Sequence, residues 1–305
     1  MSKLLFGAAA LAIISVPAFA ADMPLKAPPI VAPVIYSWTG FYVGGNVGYS
    51  WGRGNTYLTE ATQTTTTATI TTLAGQPIAA ATVAAAPIFF TGSNRADVNG
   101  WLGGFQAGYN YQVNRWVLGV EGDFQWTGER GGTSFCFPVN VGCGPATAAV
   151  GSADYSLRWL GTLRGRAGIA ADKWLFYVTG GLAVGDIRAN YADGIAAGLL
   201  TPVTFAFINQ SFTRVGWAAG AGVEGVISGN WTWKAEYLHV DLGGNDALAA
   251  GVTTGAFAAV IGDFRTTIRQ TTGFASAYNS RFTDDILRVG VNYRFGAAPL
   301  VVAKY

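Results

Sequence analysis

Ionisable residues of both signs recur in apolar stretches of this 305-residue chain, several of them two positions apart. In an extended strand, residues two apart point to the same side, so such residues share one face. They are Glu121, Asp123, Arg158, Arg164, Arg166, Glu224, Lys234, Glu236, Arg288 and Arg294. Because an unpaired buried charge is costly, the mixture of signs predicts one ion-paired network if this face is buried.

Two cysteines offer a second kind of chemistry. Cys136 and Cys143 have six residues between them. If the protein is exported, its thiols meet an oxidising compartment, and this spacing then favours a local disulfide. Metal binding is the alternative, but two cysteines without a nearby histidine supply too few ligands. We predict the disulfide, no metal site and no cofactor.

The single histidine of the chain, His239, lies two residues from the carboxylate of Asp241. A histidine oriented by a carboxylate can act as the general base of an enzyme. One histidine near a carboxylate is a common arrangement, however, and no nucleophile stands out in the sequence. An aromatic side chain at a membrane interface is the favoured interpretation, so we predict no catalytic residues.

The first twenty residues have the features of a secretory signal peptide. Lys3 precedes an apolar run over residues 4–16, and a small-x-small cleavage site ends at Ala20. An N-terminal membrane anchor is the alternative, but the apolar run is too short to cross a bilayer. We predict cleavage after Ala20, then a Pro-rich periplasmic leader over 21–36 and a single domain over 37–305.

The composition of the chain restricts what this domain can be. Charge is nearly balanced, with 19 basic and 17 acidic residues, which argues against nucleic acid as a partner. Only 12% of residues are charged, and the chain carries 42 glycines and 10 tryptophans. A soluble domain has about twice that charge. No run after the signal reaches the ~18 apolar residues of a membrane helix. A closed β-barrel is then the main fold by which such a chain can span a membrane, because it satisfies every backbone hydrogen bond.

Eight segments alternate between apolar residues and small or polar ones, the pattern of strands with two different faces. In the first segment, Phe41, Val43 and Val47 share one face, while Asn46 lies on the other. The remaining segments fall around residues 101–112, 116–126, 157–169, 174–185, 215–224, 231–237 and 287–295. Each can supply the about 9–11 tilted residues that cross a bilayer.

Short and long connections between these segments alternate along the chain. Turn residues around Asn114, 171–173 and 228–230 join three pairs of segments tightly. The other connections are long and cover roughly residues 52–97, 129–154, 188–212 and 243–283. Short turns on one rim and long loops on the other are typical of outer-membrane barrels. The sequence predicts an all-β fold, an eight-stranded antiparallel transmembrane β-barrel with four long extracellular loops.

Tryptophans stand at both ends of the apolar strand faces. Those beside the short turns are Trp116, Trp174, Trp231 and Trp233, and those near the long loops are Trp51, Trp101, Trp126 and Trp217. A soluble barrel would share the alternation, but it has no reason to carry two aromatic belts. We therefore predict that the apolar face meets lipid. The charged face then points into a lumen that eight strands leave only wide enough for side chains.

Several stretches of the chain resemble the opacity-like outer-membrane surface antigens of alphaproteobacteria, the RopB-type or outer-membrane immunogenic proteins of the porin family. The stretches are 21–24, 38–45, 103–111, 119–123, 177–183, 222–224, 236–238 and 288–295. The resemblance implies an eight-stranded barrel with surface loops recognised as antigens, and no catalytic residues. Haem binding occurs in the wider family, but no haem-ligand motif stands out here. Ten residues follow Phe295, so either Phe295 or Tyr305 serves as the terminal aromatic read by the assembly machinery.

Three functions follow from these observations. The favoured one is a non-enzymatic structural and surface-antigen barrel, integral to the cell outer membrane, with a side-chain-filled lumen and loops for envelope, host or phage contacts. The alternative is a small-solute porin-like channel, and a lipid A-modifying barrel enzyme is less favoured. The expected partners are outer-membrane lipid and lipopolysaccharide, the barrel-assembly and periplasmic chaperone machinery, and host or phage surfaces, with no nucleic acid.

Overall fold

A computed structural model describes residues 36–137, 149–195 and 204–295 of the protein. These residues form ten β-strands: β1 (Gly40–Thr72), β2 (Pro77–Ala84), β3 (Ile88–Val113), β4 (Trp116–Thr127), β5 (Arg130–Phe137), β6 (Ala149–Ala171), β7 (Trp174–Ile195), β8 (Thr204–Ser228), β9 (Trp231–Ile261) and β10 (Phe264–Arg294). Within these ranges, no helix is long and apolar enough to cross a membrane. The predicted signal peptide and most of the predicted leader lie outside the described residues.

Eight strands close into a ring in which every pair is antiparallel. The ring runs β1-β3-β4-β6-β7-β8-β9-β10, and β10 returns to β1. Closure satisfies the backbone groups of every strand in the ring, which a lipid environment requires. The predicted eight-stranded antiparallel barrel is confirmed.

Three two-residue turns join strands at one rim. They leave β3 at Asn114, β6 at Asp172 and β8 at Gly229, and these residues have φ values of 56°, 51° and 53°. Positive φ is tolerated best by glycine, asparagine and aspartate, which explains the residue types at these turns. The tight turns lie where the sequence predicted them.

The long connections at the opposite rim are largely β-strand. β1 and β10 stay paired from Arg53↔Thr283 out to Thr72↔Phe264, and β9 follows β10 to a turn at Gly262. β2 folds back along the outer end of β1. Runs of threonine and β-branched residues suit such extended hairpins. The barrel therefore continues beyond the rim as paired strands.

β4 and β5 together form one wall of the barrel. β4 ends at Thr127, residues 128–129 interrupt it, and β5 resumes the pairing with β6 through Arg130↔Ser156. β3 also touches β5, at Asn99↔Arg130. The interruption lets the strand pass from the barrel wall into the outer hairpin.

Side chains buried inside the ring fall into three layers. At the rim of short turns, Trp38 packs with Val117, Leu175 and Tyr177. Charged and amide side chains occupy the middle. Beyond them is a larger apolar cluster of Leu102, Leu157, Leu160, Ile187, Leu238, Val240, Leu242 and Ile286 with its neighbours. The sequence predicted a polar inner face along the whole barrel, whereas the part of the interior nearest the long hairpins is apolar.

Candidate functional site: the buried ion network

Strand register brings the predicted inner charges into contact. Glu121 on β4 is the cross-strand partner of Arg164 on β6. Asp123 and Arg166 each follow two residues later on the same inward face. Directly opposed residues on neighbouring strands lie about 4.5–5.5 Å apart at Cβ, so long side chains of opposite charge meet. The period-two spacing in the sequence therefore becomes an ion cluster.

Arg164 is fully buried and bonds three carboxylates. Its Nη2 lies 2.7 Å from Glu121 Oε1 and 2.7 Å from Asp123 Oδ2. Its Nη1 lies 3.2 Å from Glu236 Oε1, on a strand across the interior. A guanidinium can serve several carboxylates at once because it carries five donors in a planar fork. Arg164 therefore links β4, β6 and β9.

Arg288 on β10 completes the cluster. Its Nε donates to Glu236 Oε2 at 2.7 Å, and its Nη2 lies 3.1 Å from Asp123 Oδ2. Lys234 Nζ lies 2.8 Å from Glu121 Oε1. All of these side chains are buried, so water screens the pairs little. The cluster joins four strands of the ring through side chains alone.

Arg166 forms a second part of the network with two tyrosines. Its Nη2 lies 3.0 Å from Glu224 Oε2, and its guanidinium carbon is 3.9 Å from the centre of the Tyr177 ring. Its Nη1 donates to Tyr42 Oη, and that hydroxyl donates to Glu121 Oε2 at 2.7 Å. The tyrosines were not among the predicted network residues. Their position on the inward face of the alternation is the signal that could have identified them.

Amide and hydroxyl side chains extend the network toward the rim of short turns. Asn46 donates to Gln106, Gln106 to Asn292, and Asn292 to Glu224, over distances of 2.7, 2.6 and 3.1 Å. Thr232 adds a further bond to Glu224 at 2.6 Å. Each lies at an inward position of its strand. Neutral partners of this kind satisfy lone pairs that the cations leave open.

The charges of the cluster cancel. It contains four carboxylates and four cations, which are Glu121, Asp123, Glu224, Glu236, Arg164, Arg166, Lys234 and Arg288. A buried ion network is tolerated when every member is paired, and removal of one member strongly destabilises the fold. The structure thus brings together eight of the ten residues that the sequence assigned to this network.

Arg158 is a correction to the predicted network. Its side chain is 53% exposed and lies 3.3 Å from Asp186, while the neighbouring Leu157 is buried inside the ring. A register shift between β6 and β7 at residues 157–159 explains the exchange. Such a bulge adds one residue to a strand and reverses the alternation beyond it. The period-two pattern of this segment placed Leu157 with the outward apolar residues and Arg158 with the inward polar ones, so both were assigned to the wrong face.

Arg294 also lies outside the ion cluster. It is buried, but its Nη2 donates to the backbone oxygens of Ser37 and Thr39, and its guanidinium carbon lies 4.8 Å from the Tyr36 ring centre and 5.2 Å from that of Trp38. Among the residues that the structure describes, no carboxylate forms an ion pair with it. Arg294 therefore holds the segment before β1 against the rim of short turns.

Glu129 is a buried carboxylate at the outer end of the interior. It is fully buried, and neither carboxylate oxygen meets a hydrogen-bond donor within the described ranges. It lies three residues beyond Trp126, outside the part of the barrel between the two tryptophan groups. Burial and the neighbouring Asp284 raise the pKa of Glu129 well above its usual value. Alternating charge could not predict this group.

His239 pairs with a different carboxylate from the one the sequence suggested. Its Nδ1 lies 2.8 Å from Asp285 Oδ1, which also accepts a 2.7 Å hydrogen bond from Tyr237 Oη. Asp241 is bonded instead to Arg281 and to the Gly243 backbone. The His239 ring lies 5.4 Å from that of Trp217, on the outer surface of the barrel. No group of three metal-ligating side chains occurs in the described part of the chain.

The predicted belt tryptophans lie on the outer surface. Seven are 45–69% exposed: Trp51, Trp101, Trp116, Trp126, Trp174, Trp217 and Trp231. Trp233 is half-buried, with its ring 5.6 Å from that of Trp174. Their contact with lipid interfaces stays a prediction.

Two predictions depend on residues outside the described ranges. Cys143 lies in residues 138–148, so the disulfide with Cys136 stays a prediction. Tyr305 likewise falls outside, whereas the Phe295 amide donates to Phe41 O at the end of the barrel wall. The choice between Phe295 and Tyr305 as the assembly signal stays open.

Comparisons with known proteins agree with this architecture. The family described as "Outer membrane protein beta-barrel domain" matches residues 6–295. The 31 kDa outer-membrane immunogenic protein of Brucella melitensis is 34% identical over 237 residues, covering 76% of this chain and 84% of that protein. The 25 kDa outer-membrane immunogenic protein of Brucella abortus is 28% identical, with 97% and 99% covered. The solved structure of Ail from Yersinia pestis is 14% identical, covers 79% of this chain and 99% of that one, and has a TM-score of 0.25, too low to add to the assignment. The chain belongs to the outer-membrane β-barrel family that includes these alphaproteobacterial immunogenic proteins, and it is an integral protein of the outer membrane.

Proposed function

We propose that this protein is a non-enzymatic surface-antigen barrel whose interior is closed to solutes and whose outer hairpins make the contacts of the cell surface. The observation that carries the proposal is the buried ion network. A water-filled channel would leave its lining charges exposed, whereas Arg164, Lys234 and Arg288 are 0–1% exposed. Apolar layers above and below the network support the same conclusion.

Conductance separates the closed barrel from the porin-like channel. We expect the folded full-length protein to give no steady current in a planar lipid bilayer, because ions would have to cross two apolar layers. Insertion is verified in the same preparation by a gel band whose migration changes on boiling. A steady, salt-dependent current from the inserted protein would reject the closed barrel in favour of the channel.

The outer hairpins support the surface-antigen role. They extend the strands well beyond the barrel and present exposed apolar side chains such as Phe89, Leu248 and Phe257. A short epitope tag inserted between Gly262 and Asp263 should be labelled by antibody on intact cells. The same tag between Asp172 and Lys173, at the rim of short turns, should be labelled only after the outer membrane is opened. Equal labelling of both tags would contradict this orientation.

The lipid-modifying enzyme is tested at His239. Its bond to Asp285 gives the general-base geometry that the enzyme hypothesis needs, so the residue is the right one to remove. We expect wild-type protein and the His239→Ala variant to leave labelled lipid A equally unchanged. Modification by wild type that disappears in the variant would overturn the non-enzymatic assignment.

A further inference from the structure

Beyond the outer rim, four strands form a sheet of order β2-β1-β10-β9, and its first and last strands each leave one side unpaired. β2 pairs only with β1. β9 pairs with β8 only as far as Asp241↔Trp217, so the outer part of β9 pairs with β10 alone. No other strand of the described ranges pairs with either side. We call the open side of residues 78–84 the β2 edge and the open side of residues 247–261 the β9 edge.

Neither edge carries the residues that usually keep strand edges apart. No charged residue occurs from 61 to 94 or from 247 to 262, and no proline interrupts either edge. Every residue of β2 is exposed, and so are Phe257 and Val260 on β9. Exposed edges of natural sheets are commonly protected by lysine, proline or charge, because unpaired N–H and C=O groups attract another strand. Both edges are therefore open to pairing with a further strand.

Chain direction identifies the partner. β2 and β10 run from the tip of the sheet toward the barrel, whereas β1 and β9 run from the barrel toward the tip. The two edges of the sheet therefore run in opposite directions. A second copy in the same membrane has the same orientation, so its β9 edge is antiparallel to the β2 edge of the first copy. Two β2 edges in one membrane would instead be parallel, which is the less stable ladder.

We propose that the β2 edge of one copy pairs with the β9 edge of a second copy, so that the outer sheet continues between neighbouring barrels. The register supports this pairing. Ala80 is opposite Thr69, Thr69 is opposite Thr267, and Thr267 is opposite Ala258. Ala80 and Ala258 thus lie in one row on one face of the sheet. Continuation of the sheet brings Ala80 of one copy close to Ala258 of the next.

The backbone of the β2 edge has free groups at the positions this pairing needs. The amide of Ala85 donates to Thr64 O at 2.8 Å, so Ala85 directs its backbone groups toward β1. In an antiparallel ladder, successive residues direct their N–H and C=O groups to opposite sides of the strand. Ala80, Thr82 and Ala84 therefore direct theirs to the open side. Pairing by addition of a strand to such an edge is a common mode of protein recognition.

The membrane makes this short contact effective. The β2 edge is short for a complex between freely diffusing proteins. Two barrels in one bilayer already share depth and orientation, so the effective concentration of one edge for the other is high. A contact between two different edges leaves one of each kind free at the ends, so the assembly grows as an open row of barrels. The inference goes beyond the surface-antigen role and holds whether or not the barrel conducts.

Thiol cross-linking in isolated outer membranes tests the pairing. Cys136 and Cys143 are replaced by serine, and Ala80→Cys and Ala258→Cys are introduced together. A bismaleimide that spans roughly 10 Å, or three residues along a strand, tolerates a small shift in register. We expect a ladder of dimers, trimers and larger species on denaturing gels. The variants that carry only Ala80→Cys or only Ala258→Cys should stay monomeric, because like edges do not pair.

Two controls separate pairing from crowding in the membrane. Ala80→Cys combined with Lys173→Cys places the thiols at opposite rims and should give no ladder. Thr82→Pro, added to the double-cysteine variant, removes an N–H group from the open side, where an edge strand tolerates proline. Loss of that hydrogen bond should reduce the ladder about fivefold. Heat modifiability on gels shows which variants are folded, and Val83→Lys replaces Thr82→Pro if the latter does not fold.

The outcomes that contradict the pairing are distinct. A monomer from the double-cysteine variant would overturn the proposal, and so would a ladder that Thr82→Pro or Val83→Lys leaves unchanged. Dimers from either single-cysteine variant would show that identical edges meet, which also contradicts it. Conductance and the labelling of surface tags are measured separately, so failure of the pairing leaves the proposed function standing.

Discussion

Individual residues of the ion network differ in what they contribute, because burial differs between otherwise similar pairs. Arg288 bonds Glu236 on the neighbouring strand β9, and Arg158 bonds Asp186 on the neighbouring strand β7. The first pair is fully buried, whereas Arg158 is 53% exposed. Water and mobile ions screen an exposed pair, while removal of one member of a buried pair leaves a charge without compensation. Stability should therefore depend on Arg288 far more than on Arg158.

Arg288→Met is expected to destabilise the barrel by about 3–5 kcal/mol, because Glu236 and Asp123 lose a cation that nothing replaces. Arg158→Met is the matched control and should cost about 0–1 kcal/mol. Urea unfolding in lipid vesicles, followed by tryptophan fluorescence, measures both values. Equal losses for the two variants would show that the interior is hydrated enough to screen its charges.

Glu129 makes the stability of the outer barrel depend on pH. Burial and Asp284 raise its pKa in the folded state, so the folded protein holds the proton more tightly than the unfolded chain. That contribution is complete at pH values below the ordinary pKa of about 4.3 and is lost as the pH rises through the raised value. Stability of the native protein should fall over this range.

Replacement of Glu129 by glutamine removes the part of this dependence that Glu129 carries. The variant should show a flatter profile of unfolding midpoint against pH, because its side chain stays neutral throughout. Asp97→Asn, an exposed carboxylate on β3, serves as control and should keep the wild-type slope. A wild-type slope in the Glu129→Gln variant would mean that another group carries the effect.

The strands depend on glycine where tyrosines of the network cross the interior. A Cβ atom on Gly108 would lie 2.4 Å from Tyr42 Oη and 2.6 Å from Val120 O. A Cβ atom on Gly222 would lie 2.5 Å from Tyr177 Oη. Both contacts are too short to exist, so these glycines create the space into which the rings fold. Outward glycines such as Gly45 do not make room for a ring in this way.

Gly108→Ala should destabilise the barrel by about 1–3 kcal/mol, because it displaces Tyr42 from its bonds to Glu121 and Arg166. Gly45→Ala is the control, since its Cβ would meet nothing closer than 3.7 Å on the outer surface. The midpoint of heat modifiability on gels compares the two variants. A loss in Gly45→Ala as large as that in Gly108→Ala would point to backbone flexibility instead of the tyrosine contact.

The sequence predicted most of the strands because one face of each meets lipid and the other does not. That contrast produces a period of two, and turn residues such as Asn114 mark the ends. The prediction was wrong at Leu157 and Arg158, where a bulge in β6 reverses the alternation, since a bulge leaves no mark in composition. The bounds of the outer hairpins were not predicted, because their runs of threonine and alanine show little contrast in polarity between the two faces, although inward side chains such as Leu58 and Tyr278 are buried. The partner of Arg294 was missed because it is backbone.

At the scale of the whole molecule, the barrel and its outer hairpins differ in how their edges are protected. The ring has no free edge, whereas β2 pairs on one side only, with β1. Exposed edges open more easily than closed ladders. Protease added to intact cells should therefore trim the outer hairpins and leave a heat-modifiable barrel. Degradation of the whole chain at the same rate would contradict this difference.

The cancelling charges of the interior also bear on how the barrel assembles. Arg288 belongs to β10, the last of the strands that the structure describes, while Asp123 and Glu236 come from β4 and β9. Glu236 lies opposite Arg288 in the β9–β10 hairpin, whereas Asp123 gains its bond to Arg288 only when β10 meets β1 and the ring closes. A carboxylate without its partner is unfavourable in lipid. Closure of the ring and completion of the ion network are then a single event. Insertion should be all-or-none, because a partly closed sheet would have to carry incompletely paired charges into the bilayer.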